Sequence, residues 1–151
     1  MKIIFLDFDG VLNSDKYVRK QTEFGVIIDP SRMELLKQIV DATDAKIVLS
    51  TSWRVNWSVI PEECNETGEK INKIFSDYRL KIFDKTPDAR FNRAREIEYW
   101  MILHPEAENF VVLDDMLLDS PFIRGHYVKT CDFREGLDEE NVKEALKILN
   151  G

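Results

Sequence analysis

Three short apolar runs in this chain are each followed directly by side chains suited to metal or phosphate chemistry. Ile3, Ile4, Phe5 and Leu6 lead into Asp7 and Asp9, one residue apart, with Gly10 behind them. The run AKIVL leads into Ser50, Thr51 and Ser52, then Trp53 and Arg54. The run FVVL leads into Asp114 and Asp115, with Asp119 four residues beyond the latter. Carboxylates are costly to bury unless they are paired or bound to a cation. Several at one point repel one another unless a cation joins them. An all-oxygen set with no His or Cys favours a hard ion, so Mg²⁺ is the natural candidate.

These groups can meet only if the elements that carry them are arranged side by side. Five segments read as strands: Ile3–Leu6, Ala45–Ser50, Leu80–Phe83, Phe110–Asp114 and His126–Lys129. Between them lie helical candidates at Pro30–Asp41, Asn92–Leu103 and Asp138–Leu149, each with apolar residues at helical spacing. Strands alternating with helices predict an α/β fold: a mostly parallel five-stranded central sheet with helices on both faces. In such a sheet the carboxyl ends of the strands lie on one side, where open α/β sheets bind ligands. Asn13–Asp29 reads as a loop or small hairpin at that edge. Arg54–Asp77 reads as an insertion with a helical piece from Glu69, too short for a separate lid domain.

Bulk properties narrow the classes. The 151 residues suit a single domain, 1–151, with an ordinary globular balance of 44% hydrophobic and 32% charged residues. A formal net charge of −7 argues against a broad electrostatic grip on nucleic acid, though not against a local basic pocket around one phosphate. No apolar stretch approaches the ~20 residues that span a bilayer, and the N-terminus lacks a signal-peptide pattern. Cys64 and Cys131 form no CxxC pair, and His104 and His126 have no ligand-like spacing. Reduced cysteines and a cytoplasmic location are the expectation.

The motifs together resemble those of the haloacid dehalogenase-like (HAD) superfamily of phosphotransferases. DFDGVLN is similar to the first motif, DxDG(T/V). IVLST is similar to the second, FNRAREI to the third and VVLDDMLLD to the fourth, in the expected order and over nearly the whole chain. More specifically, STSWR, Thr86–Pro87 and Gly136–Leu137 resemble the small HAD domains related to RNA-repair proteins. The resemblance implies a Rossmann-like HAD fold with a minimal cap and a Mg²⁺-dependent phosphatase acting through an aspartyl-phosphate. It makes Asp7 the nucleophile and Asp9 the general acid and base, whose backbone carbonyl also binds the metal. Ser50, or Thr51 if the strand runs one residue further, would hold the transferring phosphoryl oxygens. Arg93 or Arg95 would neutralise the phosphate, in a position where the family more often has Lys. Asp115, with Asp114 beside it, would complete a metal shell built with Asp7 and Asp9, and Asp119 would orient metal-bound water.

Other residues have two readings. Trp53 and Trp57 could stack on a base or sugar, but bulky aromatics more often belong to the core. Arg54 is either a phosphate contact or a solvated charge near a helix start. Asn13 either lines the site or, as favoured here, turns the chain. The absence of a large lid suits a large phosphorylated substrate, such as a nucleotide or polynucleotide end held at its terminus rather than along a tract. No membrane partner is expected. The rival reading is a non-catalytic HAD-like phosphate-binding or regulatory module, disfavoured because Asp9 is present as well as Asp7. A dehalogenase is weaker still, since its chemistry needs no Mg²⁺ site.

Overall fold

In the computed structural model, which describes residues 1–151, the strands are β1 (Lys2–Leu6), β2 (Lys46–Leu49), β3 (Ile82–Lys85), β4 (Asn109–Asp114) and β5 (Tyr127–Lys129). They form one sheet in the order β3-β2-β1-β4-β5, and every pairing is parallel. The helices are α1 (Asp15–Arg19), α2 (Pro30–Thr43), α3 (Glu66–Asp77), α4 (Arg93–Leu103) and α5 (Glu139–Leu149). β1 is therefore the central strand, buried on both faces, which explains its unbroken apolar run.

Alternation along the strands divides the core in two. Ile4, Leu6, Ile47, Leu49, Val111 and Leu113 point to the face covered by α2, α3 and α5. Ile3, Phe5, Val48, Phe110 and Val112 point to the other face, where α4 packs through Ile97 and Trp100. Trp100 meets Phe5 edge to face at 5.4 Å and donates its indole N–H to Asp84 at 2.8 Å. No helix is long and apolar enough to cross a membrane.

Register does the positioning. Leu6 lies opposite Leu49 on one side and Leu113 on the other. One step further, Asp7 N–H donates to Leu113 O at 3.1 Å and Ser50 N–H to Leu6 O at 2.9 Å. Asp7, Ser50 and Asp114 thus stand beside one another at the carboxyl edge. Only the register of three strands brings them there.

Several expectations need correcting. Of the two readings of Asn13–Asp29 the loop holds and the hairpin does not, and the loop carries one unexpected element, the short helix α1 capped by Ser14. The Arg54–Asp77 stretch begins with a 3₁₀ helix at Ser52–Asn56 and a second at Pro61–Glu63, and α3 starts at Glu66 under an Asn65 cap. The third strand begins at Ile82, because Leu80 is taken up by the turn that ends α3, its N–H bonded to Phe75 O at 2.9 Å.

Candidate active site

At the centre of the carboxyl edge, Asp7 is 5% exposed and Asp114 fully buried. Carboxylate oxygens of Asp7, Asp114 and Asp115 all lie within 4.8 Å of one another. Arg93, the first residue of α4, reaches into this group, its Nη1 lying 3.0 Å from Asp7 Oδ2 and 2.9 Å from Asp114 Oδ2. A cation at a helix N-terminus works against the helix dipole, so the two carboxylates are what hold it there. Asn92 caps α4 by accepting the N–H of Arg95, whose own side chain is exposed and turned away. Of the two candidate arginines, Arg93 is the one the structure places among the carboxylates.

Charge is unbalanced here. Burial, then the neighbouring Asp114, push the Asp7 carboxyl up to about 8 despite Arg93 and the Phe8 N–H, which donates to Asp7 Oδ1 at 2.9 Å. Burial and Asp114 also raise Asp115 above the usual carboxylate range. Burial alone would lower Arg93, but Asp7 and Asp114 outweigh it and hold the guanidinium charged. One guanidinium among three carboxylates leaves negative charge uncompensated. That excess, and a donor set made only of oxygens, fit a hard divalent ion bound by Asp7, Asp114 and Asp115.

Beside Asp7, Ser50 is fully buried, and its hydroxyl is the one buried side-chain polar atom with no hydrogen-bond partner. Buried polar groups are nearly always satisfied, so an exception calls for a missing partner. Thr51 has a different task. Its Oγ1 accepts the Trp53 N–H at 3.3 Å and caps the 3₁₀ helix. The Ser50 hydroxyl has no such task within the fold.

Two loops complete the edge. Gly10 has φ +83°, and a Cβ there would lie 2.2 Å from Asp115 Oδ2, so both backbone and packing require glycine. Its carbonyl accepts the Thr130 hydroxyl at 2.6 Å. Gly136 has φ +77°, and a Cβ on it would lie 2.5 Å from Asn13 O, which seats the loop after β5 against the loop after β1.

The remaining candidates are distributed as follows. The Asp9 carboxylate is outside the acidic trio, accepting hydrogen bonds from Trp53 and Asn13. Asn13 is therefore part of the site as well as of the turn. Trp57 is buried and donates its indole N–H to Asn72 at 2.8 Å, which makes it core. Asp119 is 93% exposed beside Arg124, so it takes no part in the acidic group. Arg54 fits neither expectation: its side chain is 12% exposed, and Nε, Nη1 and Nη2 bind Thr86 O, Thr51 O and Glu96 Oε2 at 3.2, 3.0 and 2.7 Å.

Glu96 was not singled out from sequence. It lies four residues before Trp100 on the buried face of α4, where a charge needs a partner, and that position was the available signal. Thr130 gave none.

The profile of the HAD domain in Swiss Army Knife RNA repair proteins matches residues 3–142 of this chain. No curated protein and no solved structure matches it. The matched span takes in all five strands except Lys2 at the start of β1, and every residue of the acidic group. The chain belongs to this family of HAD domains, within the HAD hydrolase superfamily, and its sheet is the Rossmann-like HAD fold.

Proposed function

We propose that the chain is a Mg²⁺-dependent phosphatase that hydrolyses phosphomonoesters through an aspartyl-phosphate on Asp7. The observation that carries this reading is the buried, unpartnered Ser50 hydroxyl at the end of the strand beside the one that ends in Asp7, whose carboxylate pairs with Arg93. A phosphoryl group brings oxygens that accept from both Ser50 and Arg93, and a phosphorus that Asp7 can attack.

In the first step an Asp7 oxygen bonds to phosphorus, the bond from phosphorus to the ester oxygen breaks, and Asp9 gives that oxygen its proton. In the second, Asp9 takes a proton from water as the water oxygen attacks phosphorus, and the bond to Asp7 breaks to release inorganic phosphate. Arg93 offsets negative charge on Asp7 and the phosphoryl group throughout, the main source of acceleration in such transfers. When bound by Asp7, Asp114 and Asp115, Mg²⁺ supplies the positive charge that lets a carboxylate approach a phosphate dianion.

The substrate class that fits best is a phosphorylated nucleotide or polynucleotide end. The repair proteins named for the family act on RNA. The only elements between β1 and α2 and between β2 and α3 are short: one five-residue helix and two 3₁₀ helices. The acidic chain suits contact with a terminus rather than a tract.

The test is hydrolysis of phosphorylated oligonucleotides, nucleotides, sugars and an aryl phosphate by purified protein. Activity is expected with Mg²⁺ and not with EDTA, Asp7→Asn is expected to be inert, and Ser50→Ala to lose more activity than Thr51→Ala. Full activity in metal-free buffer, or wild-type turnover by Asp7→Asn, overturns the reading.

A further inference from the structure

Asp9 is an exposed carboxylate on a loop, and free side chains of that kind sample several rotamers. Here each oxygen has its own donor. Trp53 Nε1–H reaches Oδ2 at 3.0 Å, and Asn13 Nδ2–H reaches Oδ1 at 3.0 Å. Asn13 is 2% exposed and fully committed, since its Oδ1 accepts the Gly10 N–H at 2.9 Å and its amide also donates to Ile27 O at 2.7 Å.

The indole is equally constrained. Its ring packs against the larger core, and its backbone belongs to the 3₁₀ helix capped by Thr51. The next residue, Arg54, ties that helix to the strand ends and to α4 through Thr86 O and Glu96. Glu96 in turn accepts the Ala89 N–H at 3.0 Å, so the segment leading into Arg93 is fixed by the same carboxylate. An indole N–H only donates and carries no charge. It can therefore aim a carboxyl group without competing for its proton and without the strong anion preference a nearby arginine would impose.

We propose that Trp53 is a positioning residue whose indole N–H, backed by the Arg54–Glu96 pair, sets the Asp9 carboxyl for proton delivery to the leaving oxygen. This role rests on the phosphatase reading above. It differs from stacking on a substrate base, because it acts through Asp9 and is needed for substrates that have no ring.

The test compares two small esters, p-nitrophenyl phosphate and glycerol phosphate, with Mg²⁺. Nitrophenolate departs without protonation, whereas an alkoxide does not. The ratio kcat/KM reports only formation of the aspartyl-phosphate, whichever later step limits kcat. Trp53→Phe is expected to lower kcat/KM for glycerol phosphate by about tenfold or more, a fraction of the ~10²–10⁴ a general acid contributes, and to leave p-nitrophenyl phosphate within about twofold. In an Asp9→Asn background the same change is expected to add nothing further, as residues acting through one group are not additive. Thermal melting checks that the variant is folded. Replacing Trp53 by its benzothienyl isostere, in which sulfur stands for the N–H, repeats the test with the ring retained.

An equal loss on both esters overturns the role in favour of a structural one. No loss on either, with lower kcat/KM on a phosphorylated oligonucleotide for Trp53→Ala alone, overturns it in favour of stacking. A wild-type chain inert toward both esters and toward oligonucleotides overturns the phosphatase reading and this role with it.

Discussion

Two arginines, Arg54 and Arg93, reach buried carboxylates at the same edge of the sheet, but their surroundings differ. Arg54 meets one carboxylate, Glu96, and spends its other nitrogens on two carbonyls. Its charge is matched, and each of its three nitrogens is bonded. Arg93 meets two carboxylates with a third close by, and burial, then the neighbouring Asp114, raise Asp7 and Asp115 above their ordinary range. A buried pair whose charges cancel has no excess charge to offer a ligand and serves the fold. A mismatched group gains most when a cation and a phosphate arrive, and functional sites characteristically carry such perturbed acids.

Substitution of each arginine is the sharpest way to break this contrast. Arg54→Ala leaves Glu96 charged and buried without a counter-ion, so it is expected to cost about 3–5 kcal/mol of stability, read as a fall in the urea unfolding midpoint. An unchanged midpoint would show that the pair is not structural. Arg93→Ala is expected to lower kcat by about 10²–10³-fold, the scale of losing one charge-stabilising group, in initial-rate assays with Mg²⁺. Its melting temperature with Mg²⁺ is expected to fall less than that of Arg54→Ala. If the two variants exchange these effects, the assignment of roles is reversed.

The smallest effect concerns pH. Asp7 holds its proton in the metal-free fold up to about 8, whereas the unfolded chain releases it near 3.8. Between those values the folded state binds more protons, so stability falls as pH rises. In EDTA the melting temperature is therefore expected to decline from pH 5 to pH 8 more steeply in wild type than in Asp7→Asn, which has no such proton. Mg²⁺ is expected to flatten the wild-type curve, since it binds the ionised form. Parallel curves for the two proteins in EDTA would show that Asp7 is not the group responsible.

The legibility of the site in the sequence followed the kind of constraint on each residue. Asp7 and Asp114 end apolar runs, and burial of the run fixes where the acid emerges, so both were readable. Ser50 and Thr51 were not separable, because neighbours on a strand face opposite ways and the choice turns on where the strand ends. Arg93 and Arg95 were left open for a related reason. Two positions on a helix are separated by about 200° of rotation, so only the docking of α4 decides which faces the carboxylates. Trp57, Asp119 and Arg54 look like site residues by their neighbours in sequence, but their contacts come from Asn72, Arg124 and Glu96. For Trp57 and Arg54 nothing nearby in the chain announces those partners, and for Asp119 it is the exposure of its loop that removes it from the acidic group.

By itself the sequence determined the alternation of strands and helices, the family, and the acids and hydroxyls delivered to the strand ends. These depend on local periodicity and on burial, which act over a few residues. The tertiary structure alone decided which arginine sits among the carboxylates, which hydroxyl lacks a partner, and what holds Asp9. Each of those depends on hydrogen bonds across long stretches of chain, such as Trp53 to Asp9 and Arg93 to Asp7. Whether a polar group is satisfied or left reactive is settled by its neighbours in space, and strand register and helix docking choose them.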